Sequence, residues 1–121
     1  MVTDSVLELL IGVVRDPAHG FVLTIGAGGT LAELWEDSTS LLIPASEADV
    51  NRALDGLRLA PVLNGYRGKP AADRAAILAA IDAVQSYVVD NADKVEEVEI
   101  NPLICTPTDA IAADALIREA Q

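Results

Sequence analysis

One long helical pattern set among strand-like runs does most to decide what this sequence can become. From Ala72 to Val89 the apolar residues Ala76, Ile77, Ala80, Ile81, Val84 and Val88 recur at the spacing of one helix face. Asp73 and Asp90 stand near its two ends. Upstream, residues 6–14 read as a strand, with Arg15-Asp16-Pro17-Ala18-His19-Gly20 as a turn and Phe21 to Ile25 as the returning strand. Gly26-Ala27-Gly28-Gly29 breaks the chain, Leu31 to Trp35 resumes it, and Ser40 to Ile43 is another short strand before Pro44. Ser46, followed by Glu47 and Asp49, marks a helix start with a capping side chain and acids in the first turn. That helix is predicted to run through Ala53, Leu54 and Leu57. Leu63 to Pro70 is a loop, and Val95 to Cys105 and Ile111 to Ile117 are the last two strands. Strands, two main helices and a strand pair in this order predict an α+β fold with a mostly antiparallel sheet.

The length, 121 residues, suits one domain (1–121) with one core. Because only 3% of residues are aromatic against 51% hydrophobic, that core must be built from Leu, Ile, Val and Ala. The net charge of −11 speaks against nucleic-acid binding, which needs a basic footprint. A nucleotide bound here would need metal ions or basic groups from elsewhere to neutralise its phosphates. Arg15, Glu33 and Asp37 interrupt every apolar run before it reaches membrane-spanning length. No secretory pattern is present. Cys105 is the lone cysteine, which excludes an internal disulfide and fits a reducing compartment, so a cytoplasmic location is expected.

Chemistry concentrates near the end of the chain, in Glu99-Ile100-Asn101-Pro102-Leu103 and the isolated Asp114. Strand alternation predicts that Val98, Ile100 and Ile104 face the core and that Glu97, Glu99 and Asn101 face the other way. A turn at Thr106-Pro107-Thr108-Asp109, with Pro at its second position, sets residue 101 opposite residue 114. Their Cβ atoms would then lie roughly 5 Å apart, with Ala110 and Ala112 leaving room on that face. An amide oxygen and a carboxylate are hard donors of the kind magnesium takes from a protein, its remaining positions filled by water and phosphate. Pro102 cannot donate to a ladder, so a bulge there is the feature that would shift the register. On spacing alone, a strand-ending Asn-Pro turn and a solvated Asp is the commoner reading of such a pair.

Four segments in order, Gly12-Val13-Val14-Arg15-Asp16-Pro17, Gly26-Ala27-Gly28-Gly29 with Glu33, Leu63-Asn64-Gly65-Tyr66-Arg67-Gly68-Lys69-Pro70, and Glu99 to Leu103 with Asp114-Ala115, resemble the NDP-forming (ADP-forming) acyl-CoA synthetases. The last also resembles the end of the ATP-grasp domain in succinyl-CoA synthetase β subunits. The resemblance implies the C-terminal ATP-grasp subdomain of such an enzyme. The implied reaction is reversible: acid, CoA and ATP to acyl-CoA, ADP and phosphate, through a phosphohistidine. It implies Asn101 and Asp114 as magnesium ligands and Glu99 as the residue that steadies the phosphohistidine by hydrogen-bonding its imidazole. Gly28, Gly29 and Glu33 fall near the nucleotide cleft. The other ATP-grasp half and the CoA-binding and phosphohistidine domains have no counterpart here. The chain therefore reads as a fragment or module of a larger ligase, inactive alone, with ATP or ADP, magnesium and those domains as partners. The alternatives are a regulatory ATP-grasp module fused to an acyltransferase, or a docking scaffold.

Other residues read more plainly. The Gly26–Gly29 run lacks the Gly-Lys-Ser/Thr of a phosphate loop and the third glycine of a dinucleotide fingerprint, so on chemistry alone it is a tight turn. His19 reads as a solvent-facing turn residue, Cys105 as buried filler and Trp35 as cover for an apolar edge. Arg67 reads as an exposed loop residue that pairs with an acid or caps a helix. The acyl group and the choice of ADP over GDP are not encoded in these residues.

Overall fold

The computed structural model describes residues 4–29 and 36–120. Leu31 to Trp35, including Glu33, lie outside the described residues. Strands β1 (Leu7–Asp16) and β2 (Gly20–Ala27) form the expected hairpin, closed where the Asp16 carboxylate accepts the Ala18 N–H at 2.8 Å. Strand β3 (Ser38–Leu42) follows, then helices α1 (Glu47–Asp55), α2 (Ala60–Leu63) and α3 (Arg74–Asp90). Strands β4 (Val95–Cys105), β5 (Ala110–Ala112) and β6 (Ala115–Glu119) complete the chain. The six-stranded sheet runs β3-β2-β1-β4-β5, all neighbours antiparallel, and β6 continues along β4 where β5 leaves off.

Local chemistry explains the helices. Ser46 caps α1 by accepting the Asp49 N–H at 3.1 Å, and Asp73 caps α3 by accepting the Ala76 N–H at 3.1 Å. Helix α1 stops at Asp55, two residues short of the predicted reach, with Gly56 as its C-cap, donating its N–H to the Arg52 and Ala53 carbonyls. Leu57 is nonetheless buried beyond the helix end. The one-turn helix α2 was not foreseen; Pro61 in its first turn sits where no helical N–H is needed.

The helices pack on one face of the sheet. Leu54, Ile77, Ile81 and Val88 bury against Leu9, Ile11, Leu23, Ile25 and Leu103 in a single aliphatic core. Each fully buried side chain of this size contributes about 1.5–3 kcal/mol. Polar pins fix the periphery. Asp37 is buried and its carboxylate accepts the N–H groups of Arg58 (2.8 Å) and Leu59 (2.9 Å), holding the α1–α2 link beside the end of β2. The Arg74 guanidinium joins α3 to Asn51, Asp55 and Asn64. Arg15 bonds Glu96 and the Val95 carbonyl and lies over Phe21, tying the first hairpin to the start of β4.

One irregularity governs the site. Leu9 pairs with Leu103 but Ile11 pairs with Ile100, so Asn101 and Pro102 together oppose the single residue Leu10. This β-bulge flips the parity of β4. Core-facing positions run Val98 and Ile100 before it and Leu103 and Cys105 after it. The prediction that Ile104 faces the core is thereby corrected: it is half-buried and pairs with Glu8 on the opposite face. Ala110 and Ala112 are corrected too, since they pair with Cys105 and Leu103, and Ala110 packs on the core rather than beside a ligand.

Candidate functional site

The predicted opposition of residues 101 and 114 is present. The pairings Cys105–Ala110, Ile104–Ile111 and Leu103–Ala112 continue past the bulge to Ile100–Ala115 and Glu99–Leu116 without a slip. At the step between them the Asn101 N–H donates to the Asp114 carbonyl at 3.1 Å, and the Ala113 N–H donates to the Pro102 carbonyl at 3.0 Å. The predicted strand Ile111 to Ile117 is therefore two strands, and Asp114 occupies the break between them, exposed. Glu99 is half-buried and sits between Gly12 on β1 and Leu116 on β6.

The glycine loop meets this hairpin. The Gly28 N–H donates to the Glu8 carbonyl at 3.0 Å, which lays the loop backbone directly on β1. A Cβ at position 28 would stand 2.4 Å from the Leu9 carbonyl carbon, so only glycine fits. Gly29 has φ +62, and its N–H donates to the Asn101 Oδ1 at 2.8 Å. Gly29 thus touches Asn101, and Asn101 in turn is joined to Asp114 through the backbone. Glu33 lies outside the described residues.

Glu8 is the residue that sequence reasoning passed over. Its Oε2 lies 2.3 Å from where a Cβ on Gly29 would be, so its carboxylate rests against the same glycine that Asn101 holds. The available signal was an acid within an otherwise aliphatic strand. Glu8, Glu99 and Asp114 take part in no ion pair among the described residues. No three His, Cys, Asp or Glu side chains among the described residues gather closely enough to hold a metal by themselves. Two or three oxygen donors without a cage fit a magnesium ion that keeps water and phosphate ligands, and do not fit a closed structural metal.

The remaining candidates stand apart. His19 lies in the turn at the far end of the first hairpin, exposed, 3.4 Å from the Asp16 carboxylate. The Ala18 N–H, with His19 behind it, holds the Asp16 carboxyl below the usual carboxylate range. Arg67, at φ 52, stacks over Tyr66 on the exposed loop. Cys105 is buried and burial pushes its thiol up to about 12, which makes it inert. A recess of about 350 Å³ opens between α1 and α3, on the helical side and away from Asn101. No described helix is long and apolar enough to cross a membrane.

The ATP-grasp domain family model matches residues 1–118, and the chain belongs to that family. It is similar to the β subunit of ADP-forming acetate–CoA ligase II of Pyrococcus furiosus, 34% identical over 96 residues, covering 79% of this chain and 41% of that protein. It is also similar to a trans-feruloyl-CoA synthase from an unknown prokaryotic organism, 37% identical over 112 residues, covering 91% of this chain and 16% of that one. Among solved structures it superposes on the dinucleotide-forming acetyl-coenzyme A synthetase 1 of Ca. Korarchaeum cryptofilum with a TM-score of 0.88 and 32% identity, covering 94% of this chain and 53% of that one. That protein was solved with coenzyme A and Mg-AMPPCP, its phosphohistidine segment pointing towards the nucleotide binding site. The chain spans about half the length of the solved chain it matches and less of these curated relatives.

Proposed function

We propose that this chain is the C-terminal ATP-grasp subdomain of an ADP-forming acyl-CoA synthetase, and that it supplies one wall of the phosphoryl-transfer site. The observation that carries the reading is the hydrogen bond from the Gly29 N–H to the Asn101 Oδ1 at 2.8 Å, with Asp114 across the strand pair. The glycine loop resting on the Asn101 amide oxygen, and the backbone bond from Asn101 to Asp114, support reading the two side chains as hard oxygen donors of one site. The relatives named above, ligases that form acyl-CoA, support the same class. The reaction is acid, CoA and ATP to acyl-CoA, ADP and phosphate, run in either direction through a phosphohistidine carried on another domain.

Asn101 and Asp114 hold the magnesium, which when bound neutralises charge on the nucleotide phosphates. Gly28 and Gly29 present backbone, free of side chains, to the nucleotide, and Glu33 joins them on the family resemblance. Glu99 accepts a hydrogen bond from the imidazole N–H of the visiting phosphohistidine, which fixes the ring's tautomer and aims its other nitrogen at the phosphoryl group. With a net charge of −11 the chain offers few cations to the phosphates. The remaining neutralisation comes from the partner ATP-grasp half and the CoA-binding and phosphohistidine domains. Such an enzyme works in the cytoplasm, where its substrates are.

The test uses the intact synthetase. Asn101→Ala and Asp114→Ala weaken magnesium-dependent ADP binding, and unchanged magnesium dependence in both variants sinks the assignment. Glu99→Gln slows phosphoryl transfer while ADP binding stays intact; a regulatory module would show no turnover to slow.

A further inference from the structure

We infer that the outer face of α3 is a docking groove for a lysine- or arginine-bearing helix, carried by another domain of the intact protein. The inference goes beyond the proposed function and shares with it only the reading of this chain as one module of a larger enzyme. Helix α3 buries Ile77, Ile81, Val84 and Val88, yet its other side is apolar as well. Over 17 residues it carries only three charges, Arg74, Asp82 and Asp90. Ala75, Ala79 and Ala83 are exposed, and Val89 is 54% exposed. A surface helix ordinarily turns charged residues outward, and one that is apolar nearly all round is ordinarily covered on both sides. This face is also concave. A recess of about 350 Å³ between α1 and α3 meets a second of about 270 Å³, the two sharing Ala45, Asp82 and Gln85. The floor is fixed where they meet, because the buried Gln85 amide clamps Ala45. Its Oε1 accepts the Ala45 N–H at 2.7 Å and its Nε2 donates to the Ala45 carbonyl at 3.2 Å.

The rim fixes the chemistry of the cover. Glu47, Asp82 and Asp90 line the two recesses, and among the described residues no lysine or arginine does. None of the three takes part in an ion pair among the described residues. Asp90 is the last residue of α3, where the free helix carbonyls already concentrate negative charge, and the last turn holds no basic residue to offset it. A cation brought from outside meets the carboxylate and the helix end together. A second copy of this chain would instead bring the same three acids, and a net charge of −11, against them. From Ala75 to Asp90 the face is about 22 Å long, or about four helical turns. Its exposed alanines let a second helix approach to the near end of the usual spacing of about 8–10 Å. An apolar stripe on that helix fills the groove while its lysines or arginines reach the acids of the rim.

The experiment places Ala79→Cys in the intact synthetase and follows reaction of the introduced thiol with N-ethylmaleimide by peptide mass spectrometry. The same protein unfolded in urea is the reference, and Ala83→Cys repeats the measurement one turn further on. The folded protein is expected to react about tenfold or more slowly than the unfolded one. Adding Asp90→Lys, which repels a basic helix, is expected to speed the reaction by about fivefold or more. Position 90 lies about 16 Å along α3 from position 79, beyond the roughly 8 Å over which charges act in physiological salt, so the reversal does not work on the thiol directly. A lysine at the end of a helix also suits its dipole, so folding is kept. Reaction as fast as in the unfolded protein at both positions overturns the groove. Protection that Asp90→Lys deepens points to an acidic cover, such as a second copy, and overturns the basic helix; protection that it leaves unchanged does so too. The proposed function stands or falls separately, on the magnesium dependence of ADP binding in Asn101→Ala.

Discussion

Replacing Gly28 by alanine tests whether the glycine loop truly rests on the backbone of β1. The new Cβ would stand 2.4 Å from the Leu9 carbonyl carbon, 2.5 Å from its oxygen and 2.9 Å from the Leu10 nitrogen. Carbon contacts relax at about 3.5–4.0 Å, so loop and strand must part by about 1 Å. None of the three atoms ends a flexible side chain, so the strain has no cheap release. Overpacking of this kind costs about 1–3 kcal/mol. The same movement breaks the hydrogen bond from Gly28 to Glu8, now 3.0 Å, for about 1 kcal/mol more. The sum is about 2–4 kcal/mol, and it falls on the loop that presents Gly29 to Asn101, so nucleotide binding should suffer with stability. Gly29→Ala should be milder, about 1–2 kcal/mol, because its φ of +62 is strained for alanine but the Glu8 carboxylate it meets can swing aside. Gly12→Ala is the control, since its Cβ meets nothing nearer than 3.7 Å. Urea unfolding and calorimetric titration with Mg-ADP read the series. An unfolding midpoint and nucleotide affinity for Gly28→Ala equal to those of Gly12→Ala would refute the loop's placement.

Asp37→Asn should cost about 3 kcal/mol in urea melts, because an amide nitrogen must then face one of the two backbone N–H groups that the carboxylate now satisfies. Asp73→Ala should cost about 1 kcal/mol by removing the cap of α3, with helical circular dichroism weakened little at low temperature. Cys105, whose thiol is pushed up to about 12 by burial, binds a proton in the folded chain that the unfolded chain releases from about pH 9. Its contribution to stability is therefore complete below pH 9 and is lost as pH rises towards 12, at no more than about 1.4 kcal/mol per unit. Cys105→Ala should flatten that alkaline slope, and native protein at pH 8 should resist alkylation by iodoacetamide; rapid alkylation without unfolding would contradict the burial.

Much of this architecture was legible because local chemistry and burial agree. Helical spacing in 72–89 gave α3, and Ser46 and Asp73 gave two helix starts as side-chain caps. The turn at Thr106 to Asp109 set the pairing of Asn101 with Asp114, since a hairpin's register follows from its turn. The bulge was not legible in position or consequence. It is a relation between β4 and β1, strands separated by most of the chain, and only the packed sheet shows that two residues oppose Leu10. Ile104, Ala110 and Ala112 were assigned to wrong faces for that one reason. The contact of Asn101 with Gly29 spans 72 residues and has no local signature. Glu8 went unnoticed because a single acid in an aliphatic strand is the ordinary mark of a solvent face.

The bulge also bears on how such a site can change over time. From Glu97 to Cys105, β4 keeps step with β6 and β5 on one side, while on the other it slides by one residue against β1. At Asn101 and Pro102 the length of β4, not only the identity of its residues, therefore matters to the sheet. Losing one residue there would restore even alternation against β1 and turn either the Leu103–Cys105 arm or the Val98–Ile100 arm inside out. The aliphatic core on either side of the bulge thus fixes the length of the strand at Asn101 and Pro102, so a deletion there takes core burial away from one arm of β4.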